Sequence, residues 1–480
     1  MVLQREMTGS TRLADQRRLV REVRQELVAR YRARLQTTNE PPIRLMASIV
    51  QALEHECADR RLDPAAVRLE IVNRTIGDVN VRLVTECEGE PGGPGDYRRL
   101  ADELGVALPG EELSGHVATG AVYRWLREEM LTAEREVMRA GFDARSYDLA
   151  SIGNPVLRGW LAEDMRQWGL PVTADNVALG LGATDCMDKV LRGLGALARL
   201  DGRPVGAVLM STPGFNVLEG QAVANGYRVH RVPTGPEDRF NLTAAQLAEA
   251  LDADPGIGVV YLMVTNNPAT FAYRPDELLD LLEVLRRHRR QGRVVRLMAD
   301  LAYVGTGDPA ADDARMRALA SATDLSDQLI LISSLSKTHT LTGERFGWVT
   351  FGSAAFAAGM VGSWINSIAS MPGEWQLRFM AYHRLFRDNP HLVDKIRRLY
   401  ALRRTQLRAQ LHRLDDEFHL FEHIYLDDDA TIYTWCRLRA GEDCFSVLEK
   451  TGIAGIPGST FGYSDDYVRF SVGILPVASD

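Results

Sequence analysis

Short β-rich runs alternate with helix-like segments from Pro171 onward, and this alternation limits the possible folds more than any other feature of the sequence. The β-rich runs lie at Gly206–Met210, Arg228–Val232, Gly258–Val264, Val294–Ala299, Gln328–Ile332 and Gly347–Thr350. Segments such as Ala244–Leu251 and Pro275–His288 lie between them and have helical spacing of their apolar residues. Strands joined by helices are usually parallel, and a parallel sheet is buried on both faces. The sequence therefore predicts an α/β fold with a mainly parallel sheet covered by helices.

The two ends of the chain predict further helices and a second, smaller unit. Helices are expected at Thr11–Gln36, Met46–Arg61 and Ala121–Ala140, and C-terminal strands near Ala430–Cys436 and Tyr467–Val472. The Gly- and Pro-rich stretch Thr85–Tyr97 is expected to be an exposed loop. We expect a helical extension over 1–70, the first part of a small domain with an insertion over 71–150, a large domain over 151–390 and the rest of the small α+β domain over 391–480.

The first predicted helix carries apolar residues at helical spacing among many arginines. The apolar residues are Leu13, Val20, Val23, Leu27, Tyr31 and Leu35. Such a stripe predicts that the helix docks on the body of the chain or on a second subunit. An alternative hypothesis is that the arginines form a basic surface for anionic lipid or nucleic acid. No obvious partner for the stripe is visible elsewhere in the sequence, so its role stays open at this point.

Composition excludes several classes of protein. With 45% hydrophobic and 25% charged residues, the 480-residue chain can bury a large core, which argues against disorder. A net charge of −8 argues against a general nucleic-acid binder. The longest apolar run, near Val259–Val264, is far shorter than the roughly 20 residues that cross a membrane. The first residues show no apolar signal region, and the five cysteines are scattered, so we expect a cytoplasmic protein with reduced thiols and no metal site.

The strongest chemical signal is a lysine directly after an apolar strand. Ser334, Ser336 and Lys337 follow the run that ends at Ile332, and Arg345 comes eight residues after the lysine. A partly desolvated lysine amine can lose its proton and attack an aldehyde. Hydroxyl groups and a guanidinium beside it can hold a phosphate dianion through charge-assisted hydrogen bonds. The alternative is a turn that carries a solvated lysine.

This segment resembles the cofactor-lysine motif of fold-type I pyridoxal-phosphate enzymes, the aspartate-aminotransferase-like class I and II aminotransferases. The family pattern is roughly S-x-S-K followed by G-x-R-x-G, and Ser334, Ser336, Lys337, Gly343, Arg345 and Gly347 match it. The resemblance implies an aminotransferase-like large domain and the cofactor pyridoxal 5′-phosphate. It further implies that Lys337 carries the internal aldimine and moves the substrate's α-proton, while Ser334, Ser336 and Arg345 hold the phosphate.

A second motif of the same family follows another apolar strand. Asp300 and Tyr303 stand in Met298-Ala-Asp-Leu-Ala-Tyr-Val-Gly305, which is similar to the family's D-x-A-Y-x-G. The resemblance implies that Asp300 keeps the cofactor's ring nitrogen protonated, because a buried carboxylate favours a proton on its partner. It implies that Tyr303 binds the ring's 3′ oxygen. Taken alone, Asp300 could equally be a helix cap.

Weaker matches occur in the family's order along the chain. Asn267 precedes a proline as in the family's N-P-T-G segment, although Thr265 replaces the first proline and Ala269-Thr270 replace Thr-Gly. The resemblance makes Asn267 a second partner of the 3′ oxygen. It makes Gly182, Ala183 and Thr184 a phosphate turn, and Phe215 the residue that stacks on the cofactor ring. Each of these signals alone is also typical of an ordinary turn or core residue.

Two more residues match family positions near the ends of the chain. Arg469, in Val468-Arg-Phe-Ser-Val, resembles the arginine that binds the substrate's α-carboxylate, and a guanidinium fork suits a planar carboxylate. Tyr147 resembles the tyrosine that reaches the neighbouring subunit's phosphate, with one extra residue before Gly153. Together with the unmatched stripe of the first helix, Tyr147 predicts a homodimer with shared active sites.

The sequence thus predicts a pyridoxal-phosphate-dependent aminotransferase that acts on an α-amino acid. One alternative is a lyase, decarboxylase or β/γ-replacement enzyme with the same cofactor, because this fold hosts all of these reactions. Another is a non-catalytic regulator built on the same fold. Two features lie outside the family pattern: His339, where a phenylalanine-like residue is frequent, and a long insertion between Gly77 and Tyr147. The insertion could be a lid, a specificity element or a surface hairpin.

Overall fold

The computed structural model describes residues 2–35, 42–75, 115–148, 151–425 and 431–472. The predicted loop Thr85–Tyr97 and most of the insertion after Gly77 lie outside these residues. The helices are α1 (Val2–Leu35), α2 (Pro42–Asp59), α3 (Pro64–Glu70), α4 (Gly115–Arg139), α5 (Pro155–Arg166), α6 (Gly182–Leu200), α7 (Val217–Ala224), α8 (Ala244–Ala253), α9 (Pro275–Arg290), α10 (Pro309–Ala320), α11 (Leu335–Thr338), α12 (Ala354–Ile368), α13 (Gly373–Asp388), α14 (Pro390–Phe418) and α15 (Cys444–Thr451).

The strands form one large sheet, one small sheet and a short pair within the described residues. They are β1 (Val72–Asn73), β2 (Val177–Leu181), β3 (Ala207–Thr212), β4 (Arg228–Pro233), β5 (Ile257–Met263), β6 (Arg296–Asp300), β7 (Leu329–Ser334), β8 (Phe346–Phe351), β9 (Phe421–Tyr425), β10 (Tyr433–Leu438), β11 (Ile453–Ala454), β12 (Ile456–Pro457) and β13 (Tyr467–Ser471).

The large sheet has seven strands in the order β2-β8-β7-β6-β5-β3-β4. Neighbours from β7 to β4 are parallel, and β8 pairs antiparallel with both β7 and β2. Along β5, Val260 and Leu262 pack into one apolar cluster while Tyr261 and Met263 pack into a second cluster on the other face. Helices α6, α7 and α12 cover the second face, and α8, α9 and α10 cover the first. The prediction of a mainly parallel α/β sheet is confirmed.

The small sheet has four strands in the order β12-β13-β10-β9, all antiparallel. The N-terminal strand β1 pairs in parallel with β11, which directly precedes strand β12 of this sheet in the chain. Ser471 at the end of β13 also donates its backbone N–H to the Arg74 carbonyl oxygen, at 2.9 Å. Residues from both chain ends therefore meet beside the small sheet. The exact boundaries of the four predicted parts stay a prediction.

Helix α1 docks on the body of its own chain, which is one of the two predicted positions, and the stripe that showed no obvious partner in the sequence has one there. Val20, Val23 and Leu27 are buried in the main apolar cluster. Arg24 is only 3% exposed, and its Nη1 donates to the Glu70 carbonyl oxygen at 2.5 Å while its Nε donates to the Glu449 carbonyl oxygen at 3.2 Å. These contacts join α1 to α3 and α15, at the two ends of the sequence. The helix therefore gives no support to a dimer.

Among the described residues, none of the helices combines the length and apolarity that a membrane span requires. Over the same ranges, His, Cys, Asp and Glu side chains form no group of three or more that could hold a metal ion.

Candidate active site

A cavity of about 400 Å³ opens where β5, β6 and β7 end. The carboxyl ends of parallel strands are where α/β sheets bind ligands, because the loops there diverge and leave a crevice. Of the predicted site residues, the cavity gathers Ala183, Thr184, Phe215, Asn267, Asp300, Tyr303, Ser334, Ser336, Lys337, Arg345 and Arg469. Gly182 lies directly against Arg345, and Tyr147 lies elsewhere.

One end of the cavity is built to hold an anion. Helix α6 begins at Gly182, and Leu181 before it supplies no side-chain cap, so the first N–H groups of the helix remain available to a ligand. Gly182 has φ of +83°, and a Cβ there would lie 2.5 Å from Arg345 Nη2. Only glycine permits both this backbone conformation and the close approach of the guanidinium. The helix dipole and Arg345 thus place positive charge at the same spot.

The serines of the lysine motif lie beside this anion end. Ser334 ends β7 and caps α11, because its Oγ accepts the Ser336 N–H at 3.1 Å. The Ser334 hydroxyl also donates to Ser336 Oγ at 2.8 Å. Lys337 follows within this single helical turn, and Tyr400 donates its hydroxyl to the Lys337 carbonyl oxygen at 2.6 Å. The capped turn and the Tyr400 contact fix the backbone from which the lysine reaches the cavity.

Asp300 is the last residue of β6 and is 6% exposed. Its carboxylate accepts the Ala302 N–H at 2.9 Å and the Tyr261 hydroxyl at 2.8 Å. Burial raises the pKa of Asp300 above its ordinary value, and these two donors oppose the rise. The donors are neutral, so a cation placed in the cavity would be stabilised by the carboxylate at low local dielectric.

A ring of contacts connects four further side chains that line the cavity. Asn267 Nδ2 donates to the Tyr303 hydroxyl oxygen at 3.2 Å, and Arg469 Nη1 donates to Asn267 Oδ1 at 2.7 Å. The Arg469 Cζ lies 4.0 Å from the centre of the Tyr433 ring. The Tyr433 and Tyr303 hydroxyl oxygens are 3.1 Å apart. Sequence reasoning found Asn267, Tyr303 and Arg469 but missed Tyr433, which matches none of the motifs.

The residues fit pyridoxal 5′-phosphate. The glycine turn and Arg345 suit its phosphate, and the buried Asp300 carboxylate with neutral partners suits a protonated ring nitrogen. Tyr303 and Asn267 offer hydrogen bonds for the 3′ oxygen, and Lys337 offers the amine. All of these groups line or adjoin one cavity, so a single molecule could contact them together.

Comparison with known proteins decides the family. The sequence model of the family described as "Aminotransferase class I and II" matches residues 130–476, which is more than half of the chain. The chain belongs to this family. The resemblance seen in the sequence is therefore confirmed, and class I and II aminotransferases of this fold use pyridoxal 5′-phosphate.

Individual class I and II aminotransferases match over shorter stretches. The valine–pyruvate aminotransferase of Mycobacterium tuberculosis is 29% identical over 200 residues, which are 42% of this chain and 46% of that protein. An LL-diaminopimelate aminotransferase of Natranaerobius thermophilus is 24% identical over 268 residues, 55% of this chain and 64% of that protein. The chain thus matches between about half and two thirds of the length of these curated relatives.

Solved aminotransferase structures share the fold over most of the chain. Aspartate aminotransferase from Thermus thermophilus with maleate superposes with a TM-score of 0.64 and 17% identity, over 92% of this chain and 95% of that chain. An aminotransferase from Mycobacterium tuberculosis gives a TM-score of 0.59 and 20% identity, over 88% of this chain and 91% of that chain. At such identities the likeness shows the fold alone, and the predicted fold class is confirmed.

Two residues singled out in the sequence lie outside the cavity. Tyr147 is 80% exposed, so its predicted role in a neighbouring subunit's site stays a prediction. His339 lies behind the lysine turn, where its Nδ1 is 2.6 Å from Thr338 Oγ1. The centres of the His339 and Phe386 rings are 4.5 Å apart, and the two rings are nearly perpendicular. Burial, together with the charges of His383 and Arg397, lowers the pKa of His339 to about 3. His339 is therefore uncharged near neutral pH and supports the turn from behind.

Proposed function

We propose that this protein is a pyridoxal-phosphate-dependent aminotransferase that acts on an α-amino acid. The observation that carries the proposal is the single cavity that brings Lys337, Asp300, Arg345 and Arg469 together. When bound, the cofactor supplies an electron sink for the substrate's α-carbon and carries the amino group between two substrates. Every named relative above is an aminotransferase, which favours this reaction over a lyase, decarboxylase or replacement enzyme.

Each residue has a role that its surroundings support. Lys337 Nζ holds the cofactor's aldehyde end and moves the proton at the substrate's α-carbon. Asp300 holds a proton on the ring nitrogen through its buried carboxylate. Arg469 orients the substrate by binding its α-carboxylate with a guanidinium fork, and its 4% exposure means that water competes weakly for that fork.

The phosphate end has several donors that act together. Ser334, Ser336, Arg345 and the first N–H groups of α6 at Ala183 and Thr184 hold the phosphate and so fix the cofactor's position. Phe215 follows β3 and lines the cavity, where it would stack on the cofactor ring. Tyr303 and Asn267 bind the 3′ oxygen.

We further propose that the working unit is a cytoplasmic homodimer. The support is Tyr147, an aromatic side chain that is 80% exposed and that matches a family position at a shared site. Light scattering combined with subunit mixing tests this. A Lys337→Ala chain and a Tyr147→Phe chain, each impaired alone, should regain part of their activity when co-assembled, because one of the two sites receives both intact groups. A fully active monomer would refute the shared site.

The reaction type is tested by incubating the purified protein with a panel of amino acids while recording the cofactor's absorbance. Transamination converts the cofactor to its amine form, and a 2-oxo acid accumulates in equal amount. If the aldehyde-form spectrum returns and a side-chain fragment or carbon dioxide is released, the enzyme is a lyase, a replacement enzyme or a decarboxylase instead.

A further inference from the structure

Tyr433 closes a ring of contacts inside the cavity. It begins β10 on the small sheet, is 2% exposed, and lies against both Tyr303 and Arg469. Its ring faces the Arg469 guanidinium at 4.0 Å, which is well within the range of a cation–π interaction. Its hydroxyl oxygen is 3.1 Å from the Tyr303 hydroxyl oxygen. One side chain thus contacts the group proposed for the substrate carboxylate and the group proposed for the 3′ oxygen.

The direction of the hydrogen bond between the two tyrosines decides what Tyr303 can do. A phenol oxygen has one proton to donate and two lone pairs that accept. The Tyr303 oxygen already accepts the Asn267 amide N–H at 3.2 Å. If Tyr303 donates to Tyr433, it has no proton left for a ligand. If Tyr433 donates to Tyr303, both lone pairs of Tyr303 are used and its proton must point into the cavity.

The charge next to Tyr433 favours the second direction. A guanidinium on the ring face withdraws electron density and makes the Tyr433 hydroxyl a stronger donor. The Arg469 charge also acts on Tyr303, but its direct contact, at 4.0 Å, is with the Tyr433 ring. Arg469 is itself held in place, because its Nη1 donates to Asn267 and its Nη2 donates to the Thr75 carbonyl oxygen at 3.2 Å. The guanidinium therefore stays over the Tyr433 ring and keeps Tyr433 the donor and Tyr303 the acceptor.

We propose that Tyr433 is a positioning residue that donates its hydroxyl proton to Tyr303 and carries Arg469 on its ring. Tyr303 then presents its own proton to the cofactor's 3′ oxygen, and Arg469 presents its fork to the substrate carboxylate. The inference rests on the proposed function, because it assigns those two ligands to the cavity. It adds that a residue of the small sheet prepares the binding sites for both.

Two variants separate the hydroxyl from the ring. Tyr433→Phe keeps the ring under Arg469 and removes the donor to Tyr303, whereas Tyr433→Leu removes both. Tyr425→Phe is the matched control, because Tyr425 is a buried tyrosine on the neighbouring strand β9 that does not line the cavity. The charged groups Asp300, Lys337, Arg345 and Arg469 also face the cavity and are unchanged in all three variants.

The measurements are made on the cofactor-loaded protein and do not use turnover. The first is the pH midpoint of the bound cofactor's absorbance change. The second is the dissociation constant of acetate, a probe that carries a carboxylate and no side chain. In Tyr433→Phe the midpoint should rise by roughly half a pH unit to one pH unit, which is the equivalent of one hydrogen bond. Without the Tyr433 hydroxyl, Tyr303 is a weaker donor and leaves more negative charge on the 3′ oxygen. Acetate affinity in this variant should stay within about twofold of the parent.

In Tyr433→Leu the same rise should be joined by an acetate affinity about tenfold weaker, because the guanidinium loses the nearer of its two aromatic contacts and keeps only the Phe461 ring, whose centre lies 4.8 Å from Arg469 Cζ. Tyr425→Phe should change neither value. An unchanged midpoint in Tyr433→Phe, or parent-like acetate binding in Tyr433→Leu, overturns the inference. A parent protein that shows no cofactor absorbance would instead overturn the proposed function, so the two failures are distinguishable.

Discussion

The two walls of the cavity are built in different ways. The wall from the large sheet consists of residues at the ends of parallel strands, where Asp300 is the last residue of β6 and Lys337 follows β7. The wall from the small sheet consists of Tyr433 and Arg469, which lie within adjacent antiparallel strands. The first wall carries the groups that would hold the cofactor, and the second carries the group that would hold the substrate. Under the proposed function, bond-making chemistry and substrate positioning would therefore be supplied by separate sheets.

The largest expected effect concerns the first wall. Lys337→Ala should lower turnover by at least about a thousandfold, because the proton at the α-carbon loses its carrier. Turnover of a good amino-acid substrate measures this, and Lys450→Ala, a lysine of α15 outside the cavity, is the control. A Lys337→Ala enzyme that retains a tenth of the parent's turnover would remove the lysine from the mechanism.

Substitution of Asp300 should give the next largest effect on turnover, and the same substitution at Asp312 is the matched control. Both carboxylates are buried and both have a raised pKa caused mainly by burial. Asp312, however, lies outside the cavity and accepts the Gly305 N–H at 2.7 Å and the Arg315 Nη1–H at 2.8 Å. We expect Asp300→Asn to fold but to lose several kcal/mol of transition-state stabilisation, which lowers turnover on the order of a hundredfold or more. The reason is that an amide cannot stabilise a protonated ring nitrogen.

Asp312→Asn should instead lower the melting temperature and leave turnover per folded molecule within about threefold. Turnover and thermal unfolding of the two variants separate these outcomes. If both variants lose activity equally, Asp300 has no special relation to the cofactor.

The second wall should act on substrate binding. Arg469→Lys replaces a guanidinium fork with a single ammonium group, so the KM for the amino acid should rise about tenfold to a hundredfold. The cofactor's absorbance without substrate should change much less than it does in Asp300→Asn. Arg437→Lys, on the same sheet but outside the cavity, is the control. A variant that loses cofactor while binding acetate normally would reverse the roles of the two walls.

The smallest effect lies behind the first wall, at His339. Its pKa is lowered to about 3 in the folded protein, while an unfolded histidine titrates near its ordinary 6.5. The unfolded chain therefore binds a proton first, and the contribution of this group to stability is complete above pH 6.5 and is lost as the pH falls toward 3. Between pH 7 and pH 5.5 the loss is about 1 kcal/mol.

His339→Gln should remove that part of the pH dependence, which urea unfolding at both pH values measures. His412→Gln, at an exposed position of α14, should leave the parent's dependence intact. If the free energy of unfolding changes equally with pH in His339→Gln and in the parent, His339 is accessible to protons in the folded state.

The sequence predicted the first wall more fully than the second for a physical reason. A strand that ends in a loop places several chemical groups close together along the chain, as in the stretch from Ser334 to Arg345, and a short motif records them. Within an antiparallel strand only alternate residues face the cavity, so Tyr433 is the one cavity residue of the stretch Thr431–Cys436 and no short motif marks it. Arg469 was found only through the family resemblance.

Long-range contacts explain the remaining differences. Helix α1 was predicted to dock on the body of the chain or on a second subunit, and the sequence could not decide between the two because the Arg24 to Glu449 contact joins residues 425 positions apart. Strand positions were close but shifted: the run predicted from Val294 forms a strand only from Arg296. Pairing with neighbouring strands sets such limits, and apolar periodicity alone does not determine them.

Borohydride reduction of the purified protein, followed by peptide mapping, identifies the lysine that binds the cofactor. We expect a yellow protein in which reduction fixes one cofactor per chain, on the peptide that contains Lys337. A label on another lysine, or no label at all, would contradict it.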